Sequence, residues 1–338
     1  MKKSAQKAEM ASGIDIGNFS VKIAQMSKKE DVFTLEAVGY SRINVNKLNG
    51  LMDAIKVACE AIDLSHKKVN TSLNPENVIV RYLVLPQMTK EDLKGAMEFE
   101  IDRYVPFDKS DIVCDYMVIN NKPEAKNMKV LLVAAKKQDI EERIKILKDI
   151  GLDPEVLTID SIVLKNAFQL NYPEKEEKTI GLINIGSRIT NINIIKEFSS
   201  YFMRDVQIGG DNITHLLKEK LEVNLDEAEQ LKYTLDSQDK EKFKIVEPVL
   251  GNLLNEIYLS FDYYESEFGM VVDEIFLSGG TSHLVWLADF LKENLNREIA
   301  IFKPTDKILY APTIEKNKIE TLSSSLVVPI GLALESFN

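Results

Sequence analysis

Two glycine turns that read alike, half of a 338-residue chain apart, constrain this sequence more than any other feature. Gly13-Ile14-Asp15-Ile16-Gly17-Asn18-Phe19-Ser20-Val21-Lys22 runs apolar, Asp, apolar, Gly, a polar turn, then an alternating apolar strand. Leu182-Ile183-Asn184-Ile185-Gly186-Ser187-Arg188-Ile189-Thr190 repeats that order with Asn184 in the place of Asp15. A third stretch, Leu277-Ser278-Gly279-Gly280-Thr281, follows an apolar run and precedes a helical pattern. Each alone is an ordinary glycine turn. A pattern recurring at half-length predicts two related lobes that close on something between them.

The chemistry of these turns suits a triphosphate. Glycine lacks a Cβ and tolerates positive φ, so a strand–Gly–strand hairpin brings backbone N–H groups against phosphate oxygens. Ser20 or Asn18 adds side-chain donors. Asp15, at the end of an apolar strand, is placed to hold magnesium through its water shell.

Composition excludes several classes. An apolar fraction of 45% with 28% charged residues describes a soluble globular chain, long enough for two lobes. A formal net charge of −11 disfavours nucleic acid or anionic lipid as the main partner. Cys59 and Cys114 have no metal or redox spacing, and His66, His215 and His283 are scattered, so neither a disulfide framework nor a histidine metal site is expected. No apolar run approaches the roughly 18 residues needed to span a membrane, Val130 to Ala135 being typical of the longest. The polar, basic start lacks the apolar core of a signal peptide. The C-terminus lacks a basic amphipathic anchor.

Along the chain, residues 1–12 read as a flexible tail. Strands from Gly13 to Ala24 and Val32 to Tyr40 flank the turn Lys28-Lys29-Glu30-Asp31, and a helix follows with Leu48, Leu51, Met52, Ile55, Cys59 and Ile62 on one face. Val78 to Leu85 reads as a strand. Thr89, with Asp92 three residues on, caps a helix that ends at Pro106. Ile112 to Ile119 and Met128 to Ala135 form a hairpin across a loop containing Pro123. The next helix ends before Gly151, in the position where helices stop on a left-handed residue. Residues 78–155 thus form an inserted subdomain between 13–77 and 156–175, which make the first lobe. The charged, proline-led run Pro173 to Lys178 is the linker. Residues 179–338 make the second lobe, with a helical subdomain over about 225–270 that includes a long stretch beyond Gln238. A final helix from Leu322 to Leu334 contains Pro329 and Gly331, so it is kinked or begins late. Alternating strands and helices predict an α/β class with covered sheets.

The order of motifs resembles the actin-like ATPases. The block Glu98-Phe99-Glu100-Ile101-Asp102-Arg103-Tyr104-Val105-Pro106-Phe107, then Asp115-Tyr116-Met117-Val118, Val133-Ala134-Ala135-Lys136 and Ile159-Asp160-Ser161, is similar to the PilM family of type IV pilus assembly proteins, relatives of FtsA. That resemblance covers nearly everything from Gly13 to Leu334. It implies an actin-like (ribonuclease H-like) two-lobed fold with an FtsA/PilM-type inserted subdomain, binding ATP and Mg2+. It implies a first phosphate loop of Asp15, Gly17, Asn18, Ser20 and Lys22, and a second of Gly186, Ser187 and Thr190. Gly209 and Gly210, with Glu229 and Lys232, would reach ribose and base, and Gly279, Gly280 and Thr281 would form the adenosine loop. For Glu229 and Lys232 the alternative is a solvated i, i+3 pair.

Two positions depart from the actin pattern. Asn184 stands where many relatives carry a second metal-orienting Asp, so turnover is expected to be slow at most. Asp160 falls near the position that orients the attacking water, and either does so as a catalytic carboxylate or caps its helix. The resemblance further implies a cytoplasmic scaffold of the pilus assembly complex at the inner face of the membrane. It would dock the N-terminal cytoplasmic tail of PilN in a groove between insert and first lobe, with Tyr82, Phe107 and Tyr116 as candidate lining. An FtsA-like division filament and a sugar- or acetate-kinase-type phosphotransferase are the alternatives from the same superfamily.

Overall fold

The computed structural model describes residues 8–63, 67–120, 126–235 and 240–337. Residues 1–7 of the expected tail, together with His66, Pro123 and Gln238, lie outside the described residues. The chain opens with strands β1 (Glu9–Ile16), β2 (Ser20–Lys29) and β3 (Val32–Arg42), helix α1 (Gly50–Cys59) and β4 (Lys68–Ser72). Next come β5 (Val78–Pro86), α2 (Lys90–Tyr104), β6 (Ile112–Asn120), β7 (Asn127–Lys136), α3 (Lys137–Asp149), β8 (Asp153–Thr158) and α4 (Asp160–Asn171). A second meander follows, β9 (Ile180–Ile185), β10 (Thr190–Lys196) and β11 (Ser199–Val206), then helices α5 (Gly210–Leu221), α6 (Leu225–Thr234) and α7 (Lys240–Phe268). The rest is β12 (Glu274–Ser278), α8 (Val285–Leu295), β13 (Glu298–Ile301), β14 (Leu309–Tyr310), α9 (Lys316–Leu322) and α10 (Val327–Leu334).

The described strands form three sheets. One has the order β14-β3-β2-β1-β4-β8, one β11-β10-β9-β12-β13, and a small one β5-β7-β6. In each large sheet an antiparallel meander adds parallel strands at one edge: β4 and β8 in the first, β12 and β13 in the second. That likeness is the half-length repeat of the glycine turns made structural. Every residue of β9 is buried, because helices cover both faces of its sheet. Ile183 and Ile185 pack with Leu250, Leu253 and Ile257 of α7, while Ile180 and Leu182 pack with α4 and α10. A strand covered on both sides reads as continuous apolar sequence rather than as an alternation.

Several expectations change. The strand expected over 13–24 breaks at Gly17 into β1 and β2, and β1 begins at Glu9, inside the stretch read as tail. Leu48 is fully exposed, because α1 starts only at Gly50. Thr89 does cap α2, its hydroxyl accepting from the Asp92 amide at 3.1 Å, and Gly151 has a φ of +86°. The final helix begins late: α10 starts at Val327, which puts Pro329 in the first turn, where a missing N–H costs no helical hydrogen bond. β13, β14 and α9 had no sequence reading.

The chain also does not stay in the second lobe to its end. β14 pairs with β3, and α10 packs against β1, β4 and α4. The reason is visible at Gly13, where an added Cβ would lie 2.1 Å from the Pro329 carbonyl oxygen and 2.5 Å from the Ala333 nitrogen. Gly13 therefore lets α10 seat on the sheet rather than shaping the phosphate turn. Gly13→Ala is expected to destabilise the fold by ~1–3 kcal/mol or more, the usual cost of overpacking. A denaturation midpoint equal to the parent's would contradict this seating.

Candidate functional site

The turn of the β1–β2 hairpin is closed by the Gly17 amide donating to the Ser20 carbonyl at 3.2 Å. The β9–β10 hairpin closes in the same way, Gly186 N–H to the Ile189 carbonyl at 2.9 Å. The two turns line one cleft of about 930 Å3 including its open mouth. Its walls carry Asp15, Gly17, Asn18, Ser20 and Lys22 from the first lobe and Asn184, Gly186 and Ser187 from the second. Glu229, Lys232, Gly279, Gly280 and Thr281 complete the second wall, and Asp160 lies at the base of the first.

Three expected residues support the loops without lining the cleft. Thr190 is fully buried and its hydroxyl donates to the Ile208 carbonyl at 2.7 Å. Gly209 lies beneath Ser187, and the Gly210 amide donates to the Gly186 carbonyl at 3.0 Å. The third motif is tied to the second by the Thr281 hydroxyl, which donates to the Gly186 carbonyl at 2.8 Å. Gly279 has φ +89°, and a Cβ there would lie 2.4 Å from the Ile185 carbonyl oxygen. Only glycine fits this turn.

The electrostatics of the two walls differ. Asp15 and Lys22 stand opposite each other across the hairpin and pair at 2.8 Å, both nearly buried. Glu229 and Lys232 pair at 2.8 Å with side-chain exposures of 12% and 4%, and the Thr214 hydroxyl bridges them. This is a buried polar cluster, so the reading as a solvated helix pair is corrected. Asn184 accepts from the Ser278 hydroxyl at 3.2 Å and donates to Asn191 Oδ1 at 2.8 Å; Asn191 in turn donates to Asp205 at 2.5 Å. Its amide is thus engaged on both sides.

Asp160 does not cap α4. The cap position is Ile159, without a side-chain hydrogen bond. Instead the carboxyl is buried, which pushes its pKa up to about 7; Asp15 and Asp205 push the same way, against a hydrogen bond from Ser72. A carboxyl poised there suits proton transfer near neutral pH. Sequence reading missed Asn74, Asn191, Asp205 and Asp211. Asn74 lines the cleft from a connecting segment, Asp211 from the first turn of α5 and Asn191 from β10, while Asp205 of β11 stands behind Asn191 as its hydrogen-bond acceptor. The alternation of Asn191 with Ile192 was the one local signal available.

A second, mostly apolar hollow of about 990 Å3 including its mouth lies between the insert and the first lobe, lined by Val113, Tyr116, Met117, Leu131, Ile140 and Ile159 among others. One wall is β6, an edge strand that among the described residues pairs only with β7. The three aromatic residues expected here do not converge. Tyr116 lines the hollow, but Tyr82 faces the second lobe, stacked on Phe202 with ring centroids 6.3 Å apart. Phe107 lies elsewhere, beneath the Lys136 ammonium at 4.3 Å.

Among the described residues no helix is long and apolar enough to cross a membrane, and no cluster of three His, Cys, Asp or Glu side chains forms a metal site. Comparison with solved structures places the fold among the actin-like proteins. The chain is similar to one in a PilM-PilN type IV pilus biogenesis complex, with TM-score 0.86, 21% identity, and 97% and 98% of the two chains covered. It is also similar to the ethanolamine utilization protein EutJ from Carboxydothermus hydrogenoformans, with TM-score 0.57, 12% identity, and 98% and 91% covered. A third similar structure is Ta0583, an archaeal actin homolog in complex with ADP, with TM-score 0.51, 12% identity, and 97% and 99% covered. The model of the family described as type IV pilus assembly protein PilM matches residues 13–337. The chain belongs to the type IV pilus assembly protein PilM family.

Proposed function

We propose that this protein is a cytoplasmic ATP-binding scaffold of the type IV pilus assembly complex that docks the N-terminal cytoplasmic tail of a PilN-like bitopic inner-membrane protein. The observation that carries the docking half is the apolar hollow walled by the free edge of β6. An extended peptide adds to such an edge through its backbone, and alternate side chains fill the hollow. The family and the likeness to a chain of a PilM-PilN complex support the partner.

The nucleotide half rests on the two glycine turns that line one cleft, and the ADP complex of the archaeal homolog supports it. Amides of both turns face the phosphates. Asp15 holds magnesium through water, as suits a cation that keeps most of its hydration and borrows one or two carboxylates. Glu229, Lys232 and the Gly279-Gly280 turn hold the nucleoside. With Asn184 neutral and hydrogen-bonded on both sides, hydrolysis is slow.

The test is a calorimetric titration of the cognate PilN N-terminal peptide. Met117, on β6, is 43% exposed and lines the hollow. Met117→Asp is expected to weaken the peptide at least tenfold, since filling the hollow with one large apolar side chain contributes ~1.5–3 kcal/mol. Crosslinks from the bound peptide that fall only beyond Lys178 would refute the assignment.

A further inference from the structure

Arg143 of α3 is 8% exposed. Its Nη2 donates to Asn74 Oδ1 at 2.7 Å, while Nη1 is buried without a hydrogen-bond partner among the described residues. A buried charge is ordinarily paired at contact. Here Asp15, Asp160 and Glu142 favour the guanidinium through space, against a burial that lowers its pKa. Among the described residues its hydrogen-bond partner is Asn74, which lines the nucleotide cleft.

Asn74 occupies the first of two connections between the first lobe and the insert. Its neighbour Leu73 lines the cleft and the apolar hollow alike, and the Leu73 amide donates to the carbonyl of Thr158, at the end of β8, at 3.0 Å. Asn74 Oδ1 is committed to Arg143, and the side chain makes no cap to the turn that follows. On α3, Ile140 lines the hollow one turn before Arg143, so the two residues lie on neighbouring parts of one face. The C-terminal half of the helix is anchored, with Ile146, Leu147 and Ile150 packed into the first-lobe core.

We propose that Asn74 and Arg143 couple the two sites, resting on the functions assigned to both above: an anion in the cleft draws the Asn74 amide, Arg143 follows, and α3 shifts Ile140 at the peptide groove. Such coupling is reciprocal, so each ligand changes the other's affinity by one factor. The experiment measures binding of the cognate PilN N-terminal peptide with and without ATP and magnesium, in the full chain and in Arg143→Met. The parent is expected to show a ratio of about tenfold, inside the range common for linked sites. In Arg143→Met the ratio collapses toward one while peptide affinity without nucleotide is retained, and Arg143→Lys restores part of the ratio. A merely structural arginine would leave the ratio intact. Hydrogen exchange over residues 137–149 of the parent protein gives a readout without any variant, and it is expected to change on adding ATP and magnesium. An unchanged ratio in Arg143→Met, or no exchange response in the parent, overturns the coupling alone. Failure of peptide or ATP to bind the parent overturns the docking reading, and the coupling falls with it.

Discussion

Asp160→Asn will stabilise this protein at pH 8 and leave it nearly unchanged at pH 4. The Asp160 carboxyl has a folded pKa of about 7 against an ordinary value of 3.8, raised first by burial and then by Asp15. A group that binds its proton more tightly when folded adds stability below its unfolded pKa. That stability drains away as pH rises toward the folded value, and the curve flattens above it. A tenfold difference in proton affinity between the folded and unfolded chain is worth about 1.36 kcal/mol, so the effect is on the order of a few kcal/mol. Asparagine mimics the neutral acid, retains the size, and removes the charge next to Asp15. The check is a pair of thermal unfolding series from pH 4 to pH 8. A difference between variant and parent that does not grow with pH would mean the carboxyl is already ionised at little expense.

Asp15→Ala will make ATP binding insensitive to magnesium. On the proposed reading Asp15 carries the charge that faces the metal; in the structure Lys22 is held against it at 2.8 Å. Removing the carboxylate would then take away the proposed water-mediated metal ligand and release the Lys22 ammonium in the cleft. Affinity in magnesium should fall by about tenfold or more, equivalent to at least ~1.4 kcal/mol. Affinity in EDTA should hold or rise, because a repelling carboxylate has gone and a cation is released. The two calorimetric curves should therefore converge. A variant that still gains affinity from magnesium as the parent does would move the metal site away from Asp15.

Part of this site was legible residue by residue. Gly17 and Gly186 close their turns through hydrogen bonds three residues away, and Gly279 sits at a positive φ; constraints of such short range are written in the local sequence. Asp15 and Lys22 were legible for the same reason, since strand alternation puts them on facing positions of one hairpin. Thr190 was misread because alternation fixes that neighbours oppose each other but not which of them turns to the cleft. Tyr82 and Phe107 were misread as groove residues because aromatic character says that a ring is buried against something, not against what.

The half-length repeat, the two glycine turns that line the cleft and the class of the fold were determined by the sequence itself, because backbone conformation and hydrophobic period are local quantities. Tertiary structure alone decided that α10 returns to seat on Gly13, that Asn191 and Asp205 extend Asn184 across the sheet, and that Arg143 is buried against Asn74. Those contacts join residues remote along the chain. Their energies depend on which surfaces meet when the sheets pack, and no short window of sequence carries that information.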